Sequence, residues 1–470
     1  MKTNTNENIR AVIIVVLIAL ILPLISEGMG LLVSASGKFR HDVVYSGVST
    51  WSHFGGDPDA QPDEIELAST ALVTHENQGE AYLPTSWDNR LAGRTSPIRT
   101  QGDLSTCWAF ATLGALESYL MPEVEEEFSV DHLTHFSGYG SLADEGGSIS
   151  MSLAYLLSWR GPVSEAEDPY NDGEYNENAT VLYHLQEAQL LDDDREAVKL
   201  AVLLSGAVQS SMYADEGLLV TDESTAYYND TANAYYYNGS EKANHDVLIV
   251  GWDDDYPASN FESRPAGDGA FLCQNSWGEQ FGDEGFFYVS YYDSQIISTA
   301  ICFSRLEETD NYDTIYQYDA LGWVAQMGFN EVSAWGANVF TAGSDELLRA
   351  VGFYAVEDDV DYEVYLATNP DTDSFTERTM VAAGHLDNPG YYTIDLDSAY
   401  ALEAGESFGV IIKLTTQEKS NQLPAESKLR DLEPEVNAGE SYISADGENW
   451  HDAGETLGCN LCLKAYVDKQ

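Results

Sequence analysis

The sequence at residues 100–118 reads TQGDLSTCWAFATLGALES. Apolar residues recur at helical spacing from Ala109 onward, and Ser105 and Thr106 are capping-type residues, so a buried helix is predicted to begin near Cys107. A thiol in the first turn of a helix lies at the positive end of the helix dipole, which favours its thiolate form. The stretch therefore predicts a reactive cysteine, provided that a basic partner lies beside it.

Two downstream segments supply partners for this thiol. Residues 244–252 read NHDVLIVGW, which places His245 before an apolar strand, and residues 271–278 read FLCQNSWG. Taken singly, a buried cysteine is usually inert, a lone histidine is usually structural, and Asn-Ser-Trp-Gly fits a turn. Together with Gln101, however, Cys107, His245 and Asn275 follow one another in the order of a known family. The chain resembles the papain family of cysteine peptidases, a group known by this spacing of Cys, His and Asn.

The resemblance implies a catalytic triad. Cys107 would attack a peptide carbonyl, His245 would stabilise the thiolate and then protonate the leaving amine, and Asn275 would orient the imidazole. The side-chain amide of Gln101 and the backbone N–H of Cys107 would form the oxyanion hole. Trp277 resembles the family's indole that shields the His–Asn hydrogen bond from water, and it is also predicted to line the substrate-binding site. This chemistry requires neither a metal ion nor a cofactor.

A substrate-binding wall is predicted at Gly146 and Gly147. The stretch Asp144-Glu-Gly-Gly147 resembles the family's glycine pair, which lets an extended peptide approach and pair with the main chain. An ordinary turn before the next helix is the alternative interpretation.

Two departures from the family's pattern concern the site. The family usually has Cys-Gly-Ser before the nucleophile, whereas this chain has Leu104-Ser105-Thr106, so a local disulfide is lost. Small apolar residues are common after the histidine in the family, whereas this chain has Asp246. The added carboxylate would either alter the pKa of His245 or favour basic substrates, and the sequence leaves both open.

The fold class predicted from the whole chain is α+β. The papain-like part, residues 83–305, is expected to form two lobes, one helical and one of antiparallel strands, with Cys107 and His245 facing each other across a cleft. The helices are predicted at residues 107–120, 129–136, 148–159 and 195–204. The strands of the second lobe are predicted at residues 247–251, 269–274 and 285–292.

Residues 310–470 are predicted to form a separate all-β sandwich. Seven short alternating strands are separated by turn residues. They are predicted at residues 337–341, 347–356, 362–367, 391–396, 408–414, 441–444 and 461–467. The pattern is similar to the lectin-like modules that follow papain-type domains in some archaeal surface proteins. Such a module would bind a glycan or a cell-surface protein. Trp450 either presents its ring to such a ligand or, as aromatics more often do in sandwiches, lies in the core.

The N-terminal region predicts export. An apolar run of fifteen residues from Ala11 to Ile25 follows Lys2 and Arg10, which is typical of a signal peptide. Residues 1–30 are therefore a signal peptide or an uncleaved membrane anchor, and residues 31–82 a pro-segment or linker. The protein is expected to be secreted or at the cell surface. Sequons at Asn178, Asn229 and Asn238 agree with this location.

The net charge argues against nucleic acid as a partner. The chain has 21 Lys and Arg against 79 Asp and Glu, a formal net charge of −58, so nucleic-acid binding is not expected. Self-repulsion of this size is screened by salt, and the composition resembles that of halophilic archaeal proteins.

The five cysteines do not make a disulfide framework. Cys273 and Cys302 are one candidate pair, because both flank the strand-rich segment after Asn275. Cys459 and Cys462 have no matching second pair for a zinc site.

The function predicted from the sequence is that of an exported cysteine-type endopeptidase acting on polypeptides, with a C-terminal binding module. A catalytically silent surface adhesion or cell-envelope protein with a papain-like fold is the alternative.

Overall fold

The protein is described from a computed structural model. The model describes the backbone of residues 31–33 and 43–47, and residues 83–140, 145–191, 194–215, 217–218, 224–372, 375–429 and 432–470 in full. The predicted signal segment and most of the predicted pro-segment lie outside the described residues.

The helices of the described part are few and lie mainly in the first half. They are α1 (Asn89–Ala92), α2 (Cys107–Leu120), α3 (Val130–Phe136), α4 (Ile149–Leu157), α5 (Arg195–Ser205) and α6 (Ala453–Leu457). Helix α2 has the bounds that the sequence predicted, and α3, α4 and α5 agree with their predictions to within one or two residues at each end. Ser129 caps α3, its hydroxyl accepting the His132 N–H at 3.0 Å.

The strands before residue 310 are β1 (Leu31–Val33), β2 (Val43–Gly47), β3 (Ser86–Asp88), β4 (Tyr183–Leu191), β5 (Val208–Met212), β6 (Tyr228–Asn229), β7 (Ala234–Tyr235), β8 (His245–Asp253), β9 (Ala270–Gln274), β10 (Phe286–Ser290) and β11 (Ala300–Glu308). The predicted strands at 247–251, 269–274 and 285–292 correspond to β8, β9 and β10. These three strands pair antiparallel in the order β8-β9-β10, and β5 pairs with the other edge of β8.

Helix α2 is the centre of the helical lobe. It is apolar on nearly all sides, so it is buried rather than amphipathic. It packs against α3 and α4 on one side and against β5, β8 and β11 on the other. The first residue of α2 is Cys107 and the first residue of β8 is His245. Because α2 packs on β8, the fold brings the helix of the thiol to the strand of the imidazole.

The strands after residue 310 are β12 (Thr314–Tyr316), β13 (Ala325–Gly328), β14 (Glu331–Thr341), β15 (Glu346–Ala355), β16 (Val360–Thr368), β17 (Thr379–Leu386), β18 (Gly390–Leu402), β19 (Ser407–Ser420), β20 (Leu423–Ser427), β21 (Ser441–Ser444), β22 (His451–Asp452), β23 (Cys459–Leu461) and β24 (Leu463–Lys469). The seven predicted strands are all present. Alternating residues of β14, β16 and β19 face those of β15 and β24 across an apolar core, as in a sandwich. The predicted fold class, α+β with an all-β domain after the helical and antiparallel parts, is confirmed by these elements.

The two domains share a sheet. Strand β4 of the first domain pairs antiparallel with β11 on one side and with β18 of the second domain on the other. Gly390 is needed where β18 crosses β4, because a Cβ there would lie 2.2 Å from the Ala188 carbonyl oxygen. The core of the helical lobe also includes residues of the second domain, among them Leu321, Trp323, Val324, Tyr354, Val356 and Cys462. The second domain is therefore part of the same packed body as the helical lobe.

Two short strands of the predicted pro-segment also lie on the second domain. Strand β2 pairs antiparallel with β13, Tyr45 opposite Met327, and β1 pairs with β2. Among the residues that the structure describes, no helix is long and apolar enough to cross a membrane.

Candidate active site

Cys107 begins helix α2 and is buried, with 2% of its surface exposed. Its thiol faces main-chain N–H groups of Cys107 itself, of Trp108 and of Asp246, and these lower its pKa. Because Asp246 directly follows His245, the sulfur lies at the beginning of the strand that carries the imidazole. The expected capping hydroxyl does not cap α2: Thr106 is at the N-cap position, but its side chain makes no capping bond to the helix.

His245 is held by two contacts. The distance between its Nε2 and the Oδ1 of Asn275 is 2.8 Å, and its ring stacks on the indole of Trp277 with 4.5 Å between centroids. The Ser276 N–H donates to the same Asn275 oxygen at 2.8 Å, which fixes the orientation of that amide. Since Oδ1 can only accept, Nε2 carries the ring proton and Nδ1 is the basic nitrogen of the neutral ring.

Burial sets the charge state of the pair. It raises the pKa of the Cys107 thiol, and the nearby Asp246 carboxylate raises it further, while the main-chain N–H groups act in the opposite direction. Burial also lowers the pKa of His245 to about 4, against the hydrogen bond to Asn275, which raises it. Burial therefore opposes both charged forms, whereas the main-chain N–H groups favour the thiolate and the Asn275 hydrogen bond favours the imidazolium.

Gln101 is fixed by the segment that carries Asn275. Its main-chain N–H donates to the Ser276 carbonyl at 2.8 Å, and its Oε1 accepts from the Ser276 hydroxyl at 2.7 Å. Its Nε2 donates to the Leu104 carbonyl at 2.7 Å, within the loop that leads to Cys107. The structure therefore brings Gln101, Cys107, His245 and Asn275 together at one place.

Tyr170 belongs to the site although the sequence did not assign it a role. Its hydroxyl donates to the Gln101 carbonyl at 2.9 Å and lies 2.7 Å from the Thr106 hydroxyl. Its ring packs edge-on against Phe110 of helix α2. The Pro-Tyr pair at residues 169–170 was the available signal in the sequence.

The two predicted wall glycines lie beside the nucleophile's helix. Gly146 and Gly147 are buried, and Gly146 has a φ of +80°. A Cβ on Gly147 would lie 2.3 Å from the indole of Trp108, so a glycine is required for the chain to pack there. Trp277 is half-buried and contacts His245 and Phe281. The roles of these three residues toward a substrate remain predictions.

Two weaker expectations have clear outcomes. All five cysteines are free and buried, so the candidate pair Cys273–Cys302 is wrong. Trp450 is buried against Phe375, with 4.8 Å between ring centroids, and its Nε1 donates to the Gly447 carbonyl, which agrees with a core role.

Within the described part of the chain, only one group of three side chains has the spacing of a metal site, namely Asp359, His385 and Asp387. It lies on the second domain and is largely exposed, so it is separate from the cleft of Cys107.

Comparison with known families agrees with this geometry. The family model "Papain family cysteine protease" matches residues 83–303, and the model "Lectin like domain" matches residues 315–467. The chain is thus a papain-family cysteine protease domain followed by a lectin-like domain.

Particular relatives share one or both domains. Cathepsin S of Bos taurus is 28% identical over 225 residues, and pro-cathepsin H of Bos taurus is 26% identical over 223 residues. These matches cover 46% and 45% of the chain, and 62% and 61% of the relatives, so the chain spans about three fifths of the curated relatives' length.

One solved structure matches across both domains. The cysteine protease and lectin-like domains of Cwp84, a surface layer associated protein of Clostridium difficile, align with a TM-score of 0.75 and 26% identity. That alignment covers 86% of this chain and 91% of the other. A form of Cwp84 after propeptide cleavage aligns with a TM-score of 0.71 and 27% identity, covering 82% and 99%.

Proposed function

We propose that the protein is an exported cysteine-type endopeptidase that hydrolyses peptide bonds through Cys107, His245 and Asn275. The observation that carries this proposal is the pairing of His245 with Asn275 under the indole of Trp277, at the strand end against which the Cys107 thiol lies. A histidine with a purely structural role would not need a ring held by the Asn275 amide next to the first residue of the helix that carries Cys107.

The reaction begins at the thiol of Cys107 and the imidazole of His245. As the sulfur of Cys107 bonds to the peptide carbonyl carbon, the thiol proton passes to Nδ1 of His245, and the carbonyl oxygen becomes an oxyanion. His245 then gives that proton to the leaving amine as the carbon–nitrogen bond breaks, which leaves a thioester on Cys107. Water activated by the same imidazole hydrolyses the thioester and restores the thiol. The Oδ1 of Asn275 accepts a hydrogen bond from Nε2–H of His245 throughout and stabilises the imidazolium.

The oxyanion needs donors in place before the reaction. One hydrogen of the Gln101 amide is used by the Leu104 carbonyl, and the NH₂ group carries a second one. This second amide hydrogen of Gln101 and the main-chain N–H of Cys107 would be the two donors to the oxyanion, at the first residue of helix α2. Removal of one such donor typically costs about 10²–10³-fold in kcat. The wall formed by Gly146 and Gly147 would accept the extended substrate backbone beside Trp108.

The experiment compares wild type with Cys107→Ala in hydrolysis of a denatured protein and in labelling by an epoxide thiol inhibitor. We expect both to be lost in Cys107→Ala and retained in the control Cys302→Ala, whose thiol is buried in the β-lobe core. Hydrolysis that survives Cys107→Ala would overturn the proposal. Labelling of Cys107 without any hydrolysis would favour the alternative, a surface protein that only binds.

We propose that the lectin-like domain binds a glycan or a cell-surface protein and that the protein acts outside the cell. The similarity to Cwp84, which is a surface layer associated protein, supports this location. The domain shares a sheet with the peptidase, so the full chain carrying Cys107→Ala is the right probe for a glycan array. If the protein binds the array and this binding is lost when the glycans are removed, the ligand is a glycan. If the protein binds no glycan of the array, a cell-surface protein is the favoured ligand.

We also propose that residues 1–30 direct export, as a cleaved signal or an anchor, and that residues 31–82 are a pro-segment or linker. A form of the relative Cwp84 is described after propeptide cleavage, which supports a pro-segment. N-terminal sequencing tests this: a mature end near Leu83 supports a pro-segment, an end near residue 30 supports a cleaved signal followed by a linker, and recovery of the protein only inside the cell contradicts export.

The acidic composition supports adaptation to salt. At a formal net charge of −58, screening by salt reduces the self-repulsion of the folded state. We expect the midpoint of thermal unfolding to rise from low to molar salt. A midpoint that is unchanged or falls would contradict a halophilic protein.

A further inference from the structure

Asp246 is a buried carboxylate immediately behind the candidate triad. It follows His245 in strand β8, only 1% of its surface is exposed, and its carboxylate lies near the Cys107 thiol. An ionisable side chain is costly to bury, so its partners must be accounted for. The titratable group that interacts with it is Cys107, from helix α2, and the side chains that bind it are neutral.

Both carboxylate oxygens of Asp246 are used within the protein. The hydroxyl of Ser211 donates to Oδ1 at 2.6 Å, and the amide of Gln209 donates to Oδ2 at 2.9 Å. Ser211 lies directly opposite Asp246 in the pairing of β5 with β8. Because both oxygens are already bound and buried, the carboxylate is not directed at a basic substrate side chain, which was one of the two interpretations of this residue.

Gln209 continues the network into the helix of the nucleophile. Its Nε2 also lies 3.4 Å from the carbonyl oxygen of Trp108, the residue after Cys107. Its Oε1 accepts from the Thr112 hydroxyl at 2.8 Å, one turn further along helix α2. All of these groups are buried, so their hydrogen bonds are strong and costly to leave unmade.

We propose that Asp246 is a positioning residue for hydrolysis: through Gln209 it ties the strand that carries the imidazole to the first turns of the helix that carries the thiol. The link runs from β8, which carries His245, through Gln209 of β5 to α2, which carries Cys107. This inference rests on the proposed peptidase function, and it explains why a carboxylate replaces the small residue that is common after the histidine.

The test uses the full chain with Asp246→Ala, Asp246→Asn, Gln209→Ala and the double alanine variant. An asparagine can accept from Gln209 and donate to the Ser211 hydroxyl, so it keeps the link and removes the charge. We expect Asp246→Ala to lower kcat by about 10²-fold with little change in KM, since small displacements of reacting groups have effects of that size. Asp246→Asn should recover most of the loss, and the double variant should be no worse than the more damaged single variant.

A matched control is Asp293→Ala. Asp293 is another buried carboxylate of the β lobe, but it accepts only from the main-chain N–H groups of Tyr237, Gln295 and Ile296. Its loss should lower thermal stability and leave the kcat of the folded fraction unchanged. Unchanged kcat in Asp246→Ala, equal damage in Asp246→Asn, or additive effects in the double variant would each overturn the proposal.

A second readout separates this proposal from the peptidase function. The rate at which iodoacetamide alkylates Cys107 reports the thiol–imidazole contact without any substrate. If wild type fails to hydrolyse proteins, the proposed function fails, and the alkylation series still decides the role of Asp246. Because the Asp246 carboxylate raises the pKa of the thiol, both variants lose that effect, and the comparison is made between them. A slower rate in Asp246→Ala than in Asp246→Asn supports the link, and equal rates in these two variants refute it.

Discussion

Replacing Asn275 by alanine tests the part of the site that orients the imidazole. The His245 ring is held by the 2.8 Å hydrogen bond to Asn275 and by stacking on Trp277. A hydrogen bond between neutral groups contributes about 0.5–1.5 kcal/mol, and one to a charged group about 1.5–3 kcal/mol. The bond therefore strengthens by about 1–1.5 kcal/mol when the ring becomes an imidazolium during the reaction.

That difference corresponds to about a tenfold loss of kcat in Asn275→Ala. Loss of orientation adds to it, because Trp277 alone does not fix the rotation of the ring, so we expect a fall of about ten- to hundredfold. The KM should change little, since the amide contacts the ring and not the substrate.

The assay is steady-state hydrolysis of a fluorogenic peptide, with thermal unfolding measured on the same samples. Asn338→Ala is the control, because Asn338 is a buried asparagine of the lectin-like domain that donates to the carbonyls of Leu461 and Leu463. It should lower stability without lowering kcat. A kcat of Asn275→Ala equal to that of wild type would refute the orienting role.

Three further predictions concern groups around the two domains. Burial raises the pKa of Glu426 from 4.5 to about 7, so the folded state holds a proton that the unfolded state has lost between these two values, and stability falls across that range by at most about 1.4 kcal/mol per pH unit. Glu426→Gln should flatten the fall of the unfolding midpoint between about pH 4.5 and pH 7, and an unchanged slope would contradict this. Lys464→Met leaves the Asp319 carboxylate, now 2.7 Å from the ammonium, buried and unpaired, and urea titration should show a loss of about 3–5 kcal/mol. Gly147→Ala forces a methyl group against Trp108 and should destabilise by about 1–3 kcal/mol with a fall in kcat/KM; wild-type values in both measurements would refute the packing argument.

Local signals explain what the sequence could predict. The run of small and apolar residues from Cys107 to Leu120 defined helix α2 to its ends, and short alternating runs located the strands of the second domain. The thiol, imidazole and two amides of the site were found because their order and spacing are those of a family, and the structure brings them together.

The features that the sequence could not predict depend on contacts between residues that are far apart in the chain. The pairing of β4 with β18 joins the two domains. No local pattern at residues 183–191 or 390–402 indicates that these two strands pair with each other. Thr106 was expected to cap helix α2, but its hydroxyl lies 2.7 Å from that of Tyr170, which is 64 residues away. Cys273 and Cys302 are a candidate pair by sequence, yet both are free in the core of the β lobe.

The most direct test of the central claim is the alkylation rate of Cys107 in wild type and in His245→Ala at neutral pH. If the imidazole accepts the thiol proton, Cys107 should be alkylated much faster in wild type than in His245→Ala, which should remain folded. Equal rates in the two proteins would show that the sulfur and the imidazole do not act together, and the peptidase mechanism would be wrong.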